Sequence, residues 1–129
     1  MAKNKTGKRR RCIAYLSTVG QCKNIAGKEA GQLTCIKEYA QAHELEIVSV
    51  WHRDGMGAFE VRKHFLAMAD LIRKRTVEAV VVVKMAVVSD TMEDAYSKIG
   101  MIAGAGGRVI SVNEGELSLD LHMNVRKDV

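Results

Sequence analysis

Proline is absent from all 129 residues, so the chain encodes no proline-rich spacer. Aromatic residues make up 5% of the chain while 47% of it is apolar. That balance fits an aliphatic α/β interior better than a disulfide scaffold. The three cysteines, Cys12, Cys22 and Cys35, are odd in number and show no C-x-x-C spacing. This argues against zinc and for buried, reduced thiols in a cytoplasmic protein. His43, His52, His64 and His122 share no common spacing either, so no metal site is expected. No apolar run approaches the roughly 18 residues that a membrane span needs. The basic start leads into a strand pattern without a small-residue cleavage site. Beyond the N-terminal tail there is no low-complexity segment, and no internal repeat is visible.

The net charge is +5, but Lys3, Lys5, Lys8, Arg9, Arg10 and Arg11 supply six positive charges with no acid among them. Without those six, the balance turns slightly negative. The basic character therefore sits at the N-terminus and not on the body, and weak, tail-mediated DNA binding through these six residues is one expected use. A solubilising arm is the other.

The length suits one domain with a real core. Residues 1–9 are polar, charged and without period, as in a disordered tail. Residues 10–17 read as a strand, 18–28 as a loop, and 29–43 as a helix with Leu33, Ile36 and Ala40 on one face. A second strand over 46–51 leads into the turn H-R-D-G-M-G-A, where Asp54-Gly55 is the strongest signal. The spacing then predicts a helix over 61–74 that buries Phe65, Met68, Ala69 and Ile72 and leaves Arg62, Lys63, Arg73 and Lys74 in water.

The run V-V-V-V within 78–84 does not alternate, as expected of a central strand covered on both faces. Ser89, Asp90 or Thr91 can cap the following helix, whose apolar seam is Met92, Ala95, Ile99 and Ile102. Gly104, Gly106 and Gly107 end it. A fourth strand covers 108–112. After a turn at 113–116, residues 117–125 alternate apolar and polar like a half-exposed edge strand. The domain thus spans residues 10–125, followed by a short tail at 126–129. The order β-α-β-α-β-α-β with a C-terminal antiparallel edge strand implies an α/β fold of three layers around a mostly parallel sheet. The edge strand either packs on its own domain or pairs with a second subunit.

The apolar run ending in Ser17 places that hydroxyl at the carboxyl end of a buried parallel strand, where open α/β sheets keep their sites. R-C-I-A-Y-L-S-T-V-G-Q resembles the first strand and Y-x-R-V-S-T-x-x-Q turn of the serine recombinases, the resolvase and invertase family. The helix Q-L-T-C-I-K-E-Y-A from Gln32 to Ala40 is similar to the family's Q-x-x-x-[LI]-x-x-Y-A helix. H-R-D-G-M-G-A is similar to its D-x-G-x-S-G loop, E-A-V-V-V-V-K-M to the strand before K-x-D-R-L-S-R, and R-V-I-S-V-N-E to its fourth strand. The five segments stand in the family's order over about residues 10 to 115. The resemblance implies a serine that attacks a DNA phosphodiester without metal or nucleotide cofactor, stabilised by an arginine cluster. Ser17, Gln21, Asp54 and Arg62 stand in family positions as its catalytic candidates.

The arginines do not. The one two residues before the nucleophile is Tyr15, and the family's D-R-L-S-R positions read Ala86, Val87, Val88, Ser89 and Asp90. The D-x-G-x-S-G loop lacks its serine. The family's long helix and helix-turn-helix module have no counterpart in these 129 residues, so a catalytic-domain-only relative is expected.

Three readings follow. One is a degenerate recombinase domain that binds DNA through its tail and forms a homodimer or associates with a full-length recombinase, with Ser17 a hydroxyl satisfying loop backbone. Another is an active enzyme in which Arg53, Arg62 or tail arginines replace the lost ones. A third is a small doubly wound binding module unrelated to DNA.

Overall fold

A computed structural model describes residues 10–17, 25–53 and 57–117. Its elements are β1 (Arg10–Leu16), α1 (Ile25–Ala42), β2 (Leu45–His52), α2 (Ala58–Arg73), β3 (Ala79–Val82), α3 (Met92–Gly104), β4 (Arg108–Ser111) and β5 (Gly115–Leu117). A 3-10 turn, Met85–Val87, follows β3. The sheet order is β2-β1-β3-β4-β5. The first four strands are parallel and β5 runs antiparallel to β4, as the pattern predicts.

The three layers follow from period-two burial in strands covered on both sides. Ile13, Tyr15, Val80, Val82 and Val109 face α2 and α3, meeting Phe65, Met68, Ile99 and Ile102. Cys12, Ala14, Leu16, Ala79, Val81 and Ile110 face the other way, toward Ile36 and Ala40 of α1. Each fully buried side chain of Leu, Ile or Phe size stabilises the fold by about 1.5–3 kcal/mol. All four residues of β3 are buried, which is why its sequence lacks alternation. On the outer strand β2 the register with β1 skips one residue, so that Ile47 and Ser49 face consecutive residues of β1. Val48, between them, is exposed.

The structure corrects several expectations. α1 begins at Ile25, inside the segment read as a loop, and carries Gly27 as a helical residue. Packing overrides the ~0.5–1 kcal/mol that a mid-helix glycine costs. Cys35 is exposed on α1 while Cys12 is buried. Met92 is 68% exposed, since it is the first residue of α3 and lies outside the seam; Lys98 takes a buried place on that helix instead. β5 starts at Gly115, within the expected turn. The turn is shortened by the Glu114 N–H donating to Ser111 Oγ (3.1 Å) and by Gly115 at φ +86°, a left-handed value that suits glycine. The alternating residues 118–125 and Cys22 lie outside the described residues. Among the candidate caps of α3, Thr91 is the one used, its Oγ1 accepting from the Asp94 N–H at 3.0 Å.

Candidate active site

Growth of the sheet reverses at β1, which has β2 on one side and β3 on the other. The crevice outside the carboxyl ends of these strands is the customary ligand position of an open α/β sheet. Three segments meet there: Ser17 after β1, Arg53 after β2, and the Met85–Val87 turn after β3.

Ser17 is fully buried. Its backbone is held by one side chain from α1: the Ser17 N–H donates to Gln32 Oε1 at 2.9 Å, and Gln32 Nε2 donates back to the Ser17 carbonyl at 2.6 Å. A primary amide is suited to this task because it carries a donor and an acceptor side by side. One turn earlier on the same helix, the buried Glu29 lies 3.3 Å from His52 Nδ1, tying α1 to the end of β2.

The hydroxyl is held as well. Ser17 Oγ donates to the Val87 carbonyl at 2.5 Å. The guanidinium of Arg53, 7% exposed, reaches both atoms: Nη1 lies 3.4 Å from Ser17 Oγ and 3.4 Å from the Val87 oxygen. The Arg53 N–H continues the β1–β2 pairing by donating to the Leu16 carbonyl at 2.8 Å. The turn that presents Val87 is itself anchored, the Met85 N–H donating to Glu114 Oε1 at 3.0 Å. Glu114 in turn accepts from Ser111 Oγ at 2.8 Å.

A small cavity of about 190 Å³ opens beside Arg53, lined also by Asp90, Thr91 and Asp94. Asp94 pairs with Nζ of the buried Lys98. Partial burial pushes the Asp94 carboxyl up, but hydrogen bonding and the charge of Lys98 outweigh it and leave the group below its ordinary value. On the far side of β1, Tyr15 is fully buried, edge-on to Phe65. Its hydroxyl lies 2.6 Å from His64 Nδ1, and burial raises the phenol well above its normal range. The residue that stands where the resemblance expects an arginine is thus part of the core.

Of the residues named from sequence, Ser17 occupies the crevice together with Arg53, one of the arginines offered as a replacement for the lost ones. Arg62 is exposed on α2, where Nη1 donates to Ser97 Oγ at 3.3 Å, and it makes no bond to Ser17. Gln21, Asp54, Lys3, Lys5, Lys8 and Arg9 lie outside the described residues. Arg10 and Arg11 belong to β1, at the opposite end from Ser17. Sequence reasoning quoted the helix beginning at Gln32 without assigning that residue its grip on Ser17. It named Val87 only as a departure from the family's pattern and gave it no role, since the group involved is a backbone carbonyl that no side chain announces. Among the described residues no cluster of His, Cys, Asp and Glu could hold a metal ion.

The chain has the resolvase-like fold of a serine recombinase catalytic domain. No family model matches its sequence, and no curated protein does. Among solved structures it is similar to a resolvase family site-specific recombinase from Streptococcus pneumoniae, with a TM-score of 0.72 at 18% identity over 93% of this chain and 89% of that one. It is also similar to the N-terminal catalytic domain of TP901-1 integrase (TM-score 0.70, 14% identity, 92% of each chain). A third likeness is to the C-terminal catalytic domain of ISC1926 TnpA, an IS607-like serine recombinase (TM-score 0.64, 15% identity, 91% of this chain and 78% of that one).

Proposed function

We propose that this resolvase-fold domain acts as a DNA-associated interaction or regulatory protein and does not carry out strand transfer by itself. The observation that carries the reading is the state of Ser17: its hydroxyl is buried and donates to the Val87 carbonyl. Attack on a phosphodiester requires the oxygen to face the phosphorus, to hand its proton to a base, and to work among cations that take up the charge of the transition state. A peptide carbonyl is no general base. One guanidinium, that of Arg53, reaches the hydroxyl among the described residues. The cavity beside it carries Asp90 and Asp94, the latter paired with Lys98, so these two carboxylates balance Arg53 and Lys98 and leave no surplus of cations for a phosphate. Each missing transition-state donor costs about 10²–10³ in rate.

DNA association would come from the six cations between Lys3 and Arg11. If all six neutralise phosphates, the logarithm of affinity falls with the logarithm of salt concentration at a slope of about −5. Deleting residues 1–9 removes four of them and weakens that slope by about 3 to 4. Duplex DNA affinity measured across salt, with and without residues 1–9, tests this. A slope that deletion leaves unchanged contradicts it. Self-association, or association with a full-length recombinase, is the expected partner interaction, read by sedimentation.

Arg53 supports a second reading, an active enzyme in which this one guanidinium replaces the lost cluster. It predicts a covalent DNA adduct that Ser17→Ala abolishes and Arg53→Gln sharply reduces.

A further inference from the structure

We infer that the cleft between the end of α2 and the start of β1 is a phosphate-binding site, at the opposite end of the sheet from Ser17. Arg11, Arg73, Arg75 and Glu78 line an open depression of about 540 Å³ floored by Ile72 and Val77. The guanidinium groups come from three separate pieces of chain: β1, the last residue of α2, and the connection from α2 to β3. Three cations face one carboxylate.

The pieces hold each other in place. Arg11 Nη2 donates to the Arg75 carbonyl at 2.9 Å, which fixes the Arg11 side chain across the cleft and leaves four of its five N–H groups. The Glu78 N–H donates to the Arg11 carbonyl at 2.8 Å, and the Arg11 N–H approaches Glu78 Oε2 at 3.4 Å. Arg75 stands at φ +63°, and its side chain has no hydrogen bond or ion pair among the described residues. Arg73 is 59% exposed and shares Asp70 with Lys74 at 3.4 and 3.5 Å, a loose arrangement that an incoming dianion can replace. Guanidinium groups from several directions suit a tetrahedral oxyanion, which accepts paired N–H bonds on more than one edge.

The position has a consequence for the DNA reading, on which this assignment of the ligand rests. Ser17 lies six positions along the strand from Arg11, or about 20 Å at strand rise. Residues 1–9 join the sheet at the Arg11 end. A DNA backbone held there lies away from the Ser17 hydroxyl.

The test uses the full chain and an Arg73→Gln/Arg75→Asn double variant, asparagine being tolerant of the left-handed backbone at position 75. Two readouts separate free phosphate from DNA. In the first, inorganic phosphate replaces chloride at equal ionic strength and the unfolding temperature is followed; the full chain shifts upward by clearly more than the double variant, which keeps only the general stabilisation that phosphate gives any fold. In the second, anisotropy of a fluorescein-labelled 20-base-pair duplex is followed across salt. The double variant binds at least tenfold more weakly at low salt, with a slope shallower by about 1.8. Lys37→Gln, an exposed change on α1, retains the phosphate shift. Should the double variant fail to fold, Arg73→Gln alone is expected to reduce the slope by about 0.9.

Full DNA affinity, slope and phosphate shift in a folded variant would overturn the site while leaving tail-driven binding intact. A phosphate shift that depends on the arginines, in a chain with no duplex affinity at all, would uphold the site for a small phosphate ligand and remove the DNA reading.

Discussion

Gln32→Ala is the most informative change at the crevice. The Gln32 amide satisfies both the N–H and the carbonyl of Ser17, a residue with no exposure to water. Truncation leaves two buried backbone groups without partners, each costing about 1–3 kcal/mol. Water entering the vacated volume recovers part of that, so a loss of about 2–4 kcal/mol is expected. Urea unfolding followed by circular dichroism measures it. With a slope of about 1–3 kcal/mol per molar urea, the midpoint moves by about 0.7–4 M at unchanged slope. Gln32→Glu sharpens the test. It keeps an acceptor for the Ser17 N–H but sets a carboxylate against the Ser17 carbonyl, so it is also destabilising despite its matching shape. A loss below about 0.5 kcal/mol for Gln32→Ala, the range of an ordinary surface change, would refute the claim that this side chain holds Ser17.

Gly107→Ala places a Cβ 2.8 Å from Ile72 Cδ1 and 2.9 Å from the Glu78 carbonyl oxygen. Part of that obstacle is backbone, so a loss of about 1–3 kcal/mol is expected by thermal unfolding, and a neutral result would show that the β3–β4 entrance can spread. The depressed Asp94 carboxyl contributes stability above its unfolded value of 3.8, and that contribution fades as pH falls through the lower folded value. The stability gap between the native chain and Asp94→Asn therefore narrows from pH 7 to below pH 4, and a gap independent of pH contradicts the pairing with Lys98. Burial pushes the Cys12 thiol from 9.0 up to about 12, while Cys35 is exposed. Alkylation at pH 8 mapped by mass spectrometry should modify Cys35 in the folded protein and reach Cys12 only after denaturation.

What the sequence made legible was whatever depends on periodicity. The unbroken Val80–Val82 run announced the central strand, and Phe65, Met68, Ala69 and Ile72 announced the buried face of α2, because burial on both sides or on one helical stripe leaves a pattern in the chain itself. The start of α1 was hidden by Gly20, Asn24 and Gly27, read as loop formers; for Gly27 that breaking tendency is a local signal that long-range packing overruled. The site was legible in two members, Ser17 and Arg53. Ser17 was placed at the end of β1 by the apolar run before it. Its partners come from residues 15, 36 and 70 positions away, and three of the four contacts use a backbone atom, so no spacing rule exposes them. Arg53, which follows β2 directly, was legible as one of several arginines that could replace the lost ones. Its approach to Ser17 required the parallel pairing of β1 and β2 to be known.

The fate of the Ser17 hydroxyl decides the account. Incubating the purified chain with supercoiled plasmid DNA, quenching in detergent and separating protein-linked from free DNA measures it directly. The expected result is no linked DNA, identical for the native chain and Ser17→Ala. Linked DNA in the native chain that vanishes in Ser17→Ala would show that the hydroxyl leaves the Val87 carbonyl and attacks phosphorus, and the reading of a non-catalytic domain would be wrong.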